Sequence, residues 1–303
     1  MSSTEQIRIG VFGTGRIAQA LGRLLSDSGE TVVAVAGWNS SRAHAAAAFI
    51  AHDVAAVSPD TLSQYADHIL IAVPDRAVCG AALTLANSGM HSGVALHTAG
   101  SLGPEALQPL IETGVSCGVF HPLQTVPSKE AGVQSLPGST YGITGMHAAR
   151  VWAEYLATQL AGHVLVIPAE KIRLYHMAAV MASNAIIGII DAASGLMEAA
   201  GIERDRALSA LQPLAEASIQ NVASLGPEDA LTGPIERGDV DTIREHLNTL
   251  GASSPNKSAD NTMKLYLAVS FQLLDIARRR GLTSTKAVEL ERILSCGGTD
   301  AET

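Results

Sequence analysis

Cysteine is scarce: the 303 residues hold three, Cys79, Cys117 and Cys296, an odd number with no CxxC spacing. That excludes a disulfide framework and a zinc-binding set, and it fits a reducing compartment. Positive charge is short as well. Lys and Arg number 20 against 29 Asp and Glu, a formal net charge of −9, whereas a nucleic-acid-binding face needs clustered bases. The one basic run, Arg278-Arg279-Arg280, falls where a helix end gains from cations. Aromatic residues make up only 4%, so an aromatic-rich binding face is not expected. A bilayer-spanning run is missing too. Met177 to Ile190 is interrupted by Ser183 and Asn184 and closed by Asp191, too short and too polar to cross a membrane. Met1 to Gln6 lack the basic-then-apolar pattern of a signal peptide. A cytoplasmic protein is expected, with no nucleic-acid or membrane partner and no metal.

What is present in quantity is Ala, within 47% hydrophobic residues, and Gly, with 28 residues, a composition suited to close helix-to-strand packing. The length predicts two domains. From residue 7 to about 168, short β-branched runs alternate with amphipathic stretches, which predicts a parallel sheet with crossover helices. Candidate strands run Ile7 to Phe12, Thr31 to Ala36, Val54 to Val57, His68 to Val73, Gly93 to His97, Val115 to Phe120, Tyr141 to Thr144 and Val164 to Ile167. Several are apolar throughout, as in strands covered on both faces. After Pro168 the strand signals stop. Long periodic segments follow, punctuated by Gly201, Gly226, Gly251 and Gly281 at expected helix ends. The domains therefore read as 1–168 and 169–303, α/β then all-helical. The first helix, Glu170 to Ala200, is apolar around much of its circumference and is expected to be buried against the first domain or a second subunit. A homodimer is the reasonable assembly.

Gly13-Thr14-Gly15-Arg16-Ile17-Ala18 follows an apolar strand and opens a helix. That context marks the glycine-rich turn of a Rossmann domain, a doubly wound parallel sheet that binds a dinucleotide. Gly13 permits the turn, Gly15 lets backbone N–H groups approach a pyrophosphate, and Ala18 allows the helix to pack on its strand. The phosphates then meet a helix N-terminus, where free N–H groups and the dipole favour an anion. An acid at the end of the second strand would bind the 2′-hydroxyl of NAD. None stands there. Trp38-Asn39-Ser40-Ser41-Arg42 offers an amide, two hydroxyls and a guanidinium, which suit the 2′-phosphate of NADP(H). Val73, Pro74 and Thr98 close two further strands at the carboxyl edge, where open α/β sheets bind ligands. They are expected beside the nicotinamide ribose and carboxamide.

Reduction at the nicotinamide needs a proton donor beside the substrate. His97 lies at a strand end, and His121 opens the polar turn that holds Gln124. His176 starts the long helix, with Ser183 and Asn184 seven and eight residues on and so near one face. A lone histidine on a buried helix is ordinarily a satisfied core residue, but three polar side chains on an apolar helix need partners that a polar substrate would supply. In the turn-rich segment Leu231 to Asp239, Asp239 can cap the next helix. Thr232 is a further candidate substrate contact. Arg237 can clamp a substrate carboxylate or, equally, pair with Glu236 or Asp241 on the surface.

The segments GVFGTGRIA, ILIAVPD, LHTAG, FHPLQT, YHMAAVMASN and ALTGPIERGD, in that order and nearly end to end, resemble a family of oxidoreductases predicted from sequence. Its members join a Rossmann-like domain to a helical C-terminal domain of unassigned function. More distantly the chain resembles ketopantoate reductases, pyrroline-5-carboxylate reductases and deazaflavin-dependent NADP reductases. The resemblance implies NADPH-dependent reduction of a small 2-oxo acid such as 2-dehydropantoate, with His176 as general acid and Asn184 as substrate anchor. The chain departs from the ketopantoate reductase pattern in that His176 stands where a lysine is expected and Val180 where a first asparagine is expected. Two other readings stay open: an imine reductase of the pyrroline-5-carboxylate type, and a non-catalytic NADP(H)-binding redox sensor.

Overall fold

The structure, a computed structural model, describes residues 7–252 and 257–297. Eight strands, β1 (Arg8–Phe12), β2 (Thr31–Ala36), β3 (Ala55–Val57), β4 (His68–Ile71), β5 (Val94–His97), β6 (Ser116–Pro122), β7 (Thr140–Gly145) and β8 (His163–Val166), form one sheet of order β3-β2-β1-β4-β5-β6-β7-β8. The strand sides alternate between two cores. Ile9, Val11 and Leu70 pack with the helices Arg16–Asp27, Ser40–Ile50 and His147–Gln159 on one face. Phe12, Ile69 and Ile71 pack with the helix Val78–Asn87 on the other. The period-two alternation within near-continuous apolar strands is what a sheet covered on both faces requires.

The sheet is not parallel throughout. β7 runs antiparallel to β6, with His121 opposite Gly142, and β8 is parallel to β7. The reason is local: Leu123 N, just past β6, donates to Thr140 O at the start of β7. The chain thus re-enters the sheet at the end where it left, and a parallel return would need a full crossover. β8 is the edge strand, and Val164, Leu165 and Val166 are exposed there, so the expectation of burial on both faces does not extend to it.

The chain divides into two compact units, Met1–Ser183 and Asn184–Thr303, a division beyond Pro168. The helix Ile172–Ala182 belongs to the first unit because Ile172 is buried and the Tyr175 hydroxyl is hydrogen-bonded to His121. The continuous helix expected from Glu170 to Ala200 is broken. One helix ends at Ala182, Ser183 adopts φ −125° and ψ −71°, and a second helix runs Asn184–Ala199. Ser183 Oγ donates to Ala179 O at 2.9 Å, a back-bond of the kind that bends helices. Nor is this segment buried within the chain: Leu174, Met177, Met181 and Ile187 are each about 60% exposed or more. By length and composition alone, Ala169–Ala199 is apolar enough to cross a membrane, but the break at Ser183 divides it into helices of 11 and 16 residues, each shorter than the roughly 20 residues a bilayer requires.

The second unit is helical among its described residues, with a core of Leu231, Ile243, Leu247, Leu274, Leu290 and Leu294. Gly201 and Gly281 follow helices with positive φ, and Gly226 (φ 79°) kinks the long run Arg204–Ala230 just before Pro227. Gly251 does not end a helix but lies inside Val240–Ala252. Each arginine of the run 278–280 meets a carboxylate: Arg278 pairs with Asp275 and Glu291, Arg279 with Glu228 and Arg280 with Glu236.

Candidate cofactor and substrate site

β1, β2, β4, β5 and β6 all point the same way, so their carboxyl ends share one edge, and there the first unit gathers its functional groups. Gly13 ends β1 with φ 142°, and a Cβ on it would stand 2.2 Å from the backbone oxygen of Ala72. Its N–H donates to Ala36 O at 2.9 Å, which ties the turn to β2. Gly15 is the N-cap of the helix Arg16–Asp27 and has no side chain with which to cap it. Its φ of −80° is open to any residue, and a Cβ there would meet nothing within 4 Å. Gly13 is therefore glycine for backbone reasons and Gly15 for what approaches it. Ala18 is fully buried on the strand side. The residues present fit a dinucleotide: first-turn N–H groups without a side-chain cap, facing open space at a helix N-terminus.

The neighbouring loop divides its labour. Asn39 accepts from Arg42 N at 2.9 Å and so caps the helix Ser40–Ile50, which makes its amide a structural group first. Ser40, Ser41 and Arg42 stand exposed on the first turn of that helix. Arg16, also exposed, is tied through Nη1 to Pro127 O at 2.8 Å. Thr14 packs beside Gly37, where a Cβ would come within 2.6 Å of Thr14 Cγ2, and Ile17 is half-buried on the first helix. After β4, Val73 is half-buried and Pro74 exposed. After β5, Thr98 is half-buried, with its N–H on Ile71 O at 3.1 Å.

Further along the same edge, His121, Tyr175 and His176 meet around Gly100. His121 Nδ1 lies 2.9 Å from the Tyr175 hydroxyl. The ring centroids of His121 and His176 are 5.9 Å apart and nearly perpendicular. A Cβ on Gly100 would stand 2.5 Å from His121 Nε2 and 2.7 Å from His176 Nδ1, so both nitrogens press on one patch of bare backbone. His176 Nδ1 is buried without a hydrogen-bond partner. Beside this patch Ser101 Oγ donates to Asp75. His97 is sealed away: it is fully buried, with Nε2 on Gly103 O at 3.0 Å.

Burial holds His121 well below the ordinary 6.5, to about 4, and the neighbouring His176 lowers it further; burial lowers His97 likewise. The unfolded chain therefore binds more protons than the folded one between about 6.5 and 4. Stability is complete above that window, falls as pH drops through it and levels below it. His121 accounts for at most about 3 kcal/mol of the fall. Denaturant melts across the window are expected to show it, with a smaller slope in His121→Gln; an equal slope would contradict the assignment.

Other sequence candidates separate. Gln124 is exposed and bound into its own loop, donating to Ser139 Oγ at 3.4 Å and accepting from Thr125 N at 2.8 Å. The break at Ser183 removes the continuous face that His176, Ser183 and Asn184 were expected to share, and Asn184 begins the second unit, exposed. In that unit Thr232 is exposed. Arg237, 60% exposed, faces Asp239 at 3.8 Å rather than Glu236 or Asp241. Asp239 caps the next helix as expected, accepting from Thr242 N at 3.2 Å and Thr242 Oγ1 at 2.9 Å. Sequence reasoning missed Tyr175 and Gly100. Both lie inside quoted segments, but no spacing rule pairs residue 175 with residue 121.

Residues 2–122 match the model of a Rossmann-like domain, and residues 139–272 match that of a domain of unknown function, DUF2520. The chain joins these two domains. Comparison with curated proteins gives no match. Among solved structures, the chain is similar to protein TM1727 from Thermotoga maritima, with 22% identity over 89% of this chain and 98% of that one, TM-score 0.70. Protein BF3122 from Bacteroides fragilis, provisionally named an NADP oxidoreductase, gives 23% identity over 92% and 99%, TM-score 0.67. The pyrroline carboxylate reductase of Plasmodium falciparum, solved with NADP bound, gives 11% identity over 97% and 99%, TM-score 0.57. At these identities the likeness is one of fold.

Proposed function

We propose that the protein is an NADP(H)-dependent reductase of a small polar carbonyl compound, a 2-oxo acid such as 2-dehydropantoate being the first candidate. The observation that carries the reading is the pairing, on one sheet edge, of an uncapped helix N-terminus behind Gly13 and Gly15 with imidazoles that converge at Gly100. NADP(H) in preference to NAD(H) rests on Ser40, Ser41 and Arg42, exposed at the end of β2 where no carboxylate stands. The NADP bound to the Plasmodium falciparum relative agrees with that choice. Arg42→Ala is expected to narrow the NADPH-to-NADH affinity ratio by about tenfold or more, the worth of a charge-assisted hydrogen bond. Titration with both cofactors measures this, and an unchanged ratio would overturn the assignment.

Bound NADPH supplies a hydride from C4 of its ring. In this chain Gly13, Thr14, Gly15, Arg16 and Ile17 hold the pyrophosphate turn, Val73, Pro74 and Thr98 border the nicotinamide, and His176 delivers a proton to the substrate oxygen as the hydride arrives. Within the first unit, His121 and Ser183 are the substrate contacts. Taken by themselves, Asn184, Thr232 and Arg237 of the second unit carry an amide, a hydroxyl and a guanidinium able to bind a polar ligand, Arg237 by taking a carboxylate in place of Asp239. An imine substrate is the second reading, because the chain shares its fold with the Plasmodium falciparum pyrroline carboxylate reductase and an imine reductase from Streptomyces aurantiacus. The two histidines favour the carbonyl, since hydride addition to the carbonyl carbon leaves an oxygen that must be protonated, while an iminium nitrogen already carries its proton. A homodimer completes the proposal. It would cover the apolar faces left open at Leu174, Met177, Met181 and Ile187 and along the edge strand β8.

The test follows NADPH absorbance with a panel of 2-oxo acids and cyclic imines. Turnover of 2-oxo acids supports the first reading and turnover of imines alone the second. Saturable NADPH binding with no turnover would mark a non-catalytic binding protein.

A further inference from the structure

The Tyr175 ring meets His121 edge to face, with centroids 5.5 Å apart and the hydroxyl 2.9 Å from Nδ1. Two glycines make room for the arrangement. Gly142 stands opposite His121 in the β6–β7 ladder, and a Cβ there would come within 2.5 Å of the Tyr175 hydroxyl. Gly100 bares the backbone against His121 Nε2. Burial pushes the Tyr175 phenol up to about 12, so it keeps its proton and has it to donate. Burial, and then His176, holds His121 down to about 4, so its ring is neutral with one N–H. With the phenol donating, Nδ1 is the accepting nitrogen and the ring proton resides on Nε2. That nitrogen lies against Gly100, where His176 Nδ1 also points without a partner.

We propose that Tyr175 is a positioning residue that commits His121 to its Nε2–H tautomer, presenting a neutral imidazole N–H beside Gly100 to an acceptor atom of the substrate. The use of that N–H rests on the reductase reading; the tautomer does not. A neutral imidazole can polarise a carbonyl by hydrogen bonding while keeping its proton. The hydride then goes to the carbonyl carbon and the proton to the oxygen from His176, with His121 unchanged at the end. The arrangement also selects among substrates. A carbonyl oxygen or an unprotonated imine nitrogen has a lone pair for this N–H. A protonated iminium nitrogen has none and would face a donor.

The full chain, labelled with nitrogen-15 at histidine, is examined near neutral pH by long-range proton–nitrogen correlation, with His121→Gln assigning the His121 signals. The expected spectrum shows a pyridine-type Nδ1 and a pyrrole-type Nε2 for His121. In Tyr175→Phe these two nitrogens move toward averaged values. A pyrrole-type Nδ1 in the wild type, or an unchanged His121 pattern in Tyr175→Phe, would overturn the proposal. Should Tyr175→Phe not fold, the wild-type spectrum still decides. With a carbonyl substrate in hand, Tyr175→Phe is expected to lower kcat about tenfold while KM stays within about twofold, the split of an interaction made in the transition state. Equal loss in KM would point to a packing role instead. Absence of wild-type turnover would count against the reductase reading alone, since the tautomer is read independently.

Discussion

Gly13→Ala is expected to weaken NADPH binding by on the order of a hundredfold, about 2.7 kcal/mol, and to lower thermal stability. The new Cβ would stand 2.2 Å from the carbonyl oxygen of Ala72, which is backbone and cannot swing aside, at a residue with φ 142°. Holding a non-glycine residue in such a region costs about 1–3 kcal/mol, and relief requires the turn to move off Ala36 O and Ala72 O. The first-turn N–H groups then lose their aim. Gly15→Ala makes the contrast. With φ −80° and open space at its Cβ, it should fold as the wild type does and weaken only binding, because the added methyl stands where the phosphates approach. Calorimetric titration beside a thermal melt separates the two. NADPH binding unaffected in both variants would show that this turn is not the cofactor site.

His176→Ala is expected to lower turnover by about 10² to 10⁴-fold, the range of a general acid, with NADPH affinity held within about twofold. Its Nδ1 lies among the groups that meet at Gly100 and has no protein partner, so the loss should appear in the chemical step and not in cofactor binding. A buried nitrogen without a partner costs roughly 1–3 kcal/mol. Its removal offsets part of the lost packing, and folding should survive. Stopped-flow measurement of hydride transfer, with substrate found by the panel, gives the number. Turnover equal to the wild type would remove His176 from the mechanism and leave His121 as the imidazole beside the substrate.

Local pattern carried far in this chain. The eight strands lie where short apolar runs announced them, and the signal is plainest in the inner strands such as β4 and β5, because a strand buried on both faces leaves an uninterrupted apolar run. The turn at Gly13 and the cap at Asp239 were likewise legible, each being a few residues long with its backbone demand written in one side chain. Legibility failed where a distant residue decides. The helix expected from Glu170 to Ala200 has continuous apolar periodicity, yet it breaks at Ser183 and leaves Met177 and Met181 exposed. Periodicity reports that a face is apolar and not what covers it. Asn39, expected at the cofactor, also caps the helix Ser40–Ile50 through its side-chain oxygen, a second role that spacing does not announce.

The sequence by itself determined that a dinucleotide-type turn opens the chain, that α/β gives way to helix, and that the loop after β2 carries hydroxyls and a guanidinium in place of an acid. These are properties of contiguous residues. Only the tertiary structure decided that β7 reverses, that His97 is sealed, and that Tyr175 reaches His121 over Gly142, which leaves it room. The physical reason is distance along the chain. Residues 121 and 142 are brought together by strand register, and residues 100 and 176 by the loop after β5 and the helix Ile172–Ala182, and no local propensity encodes the nitrogen to which an imidazole's proton is directed.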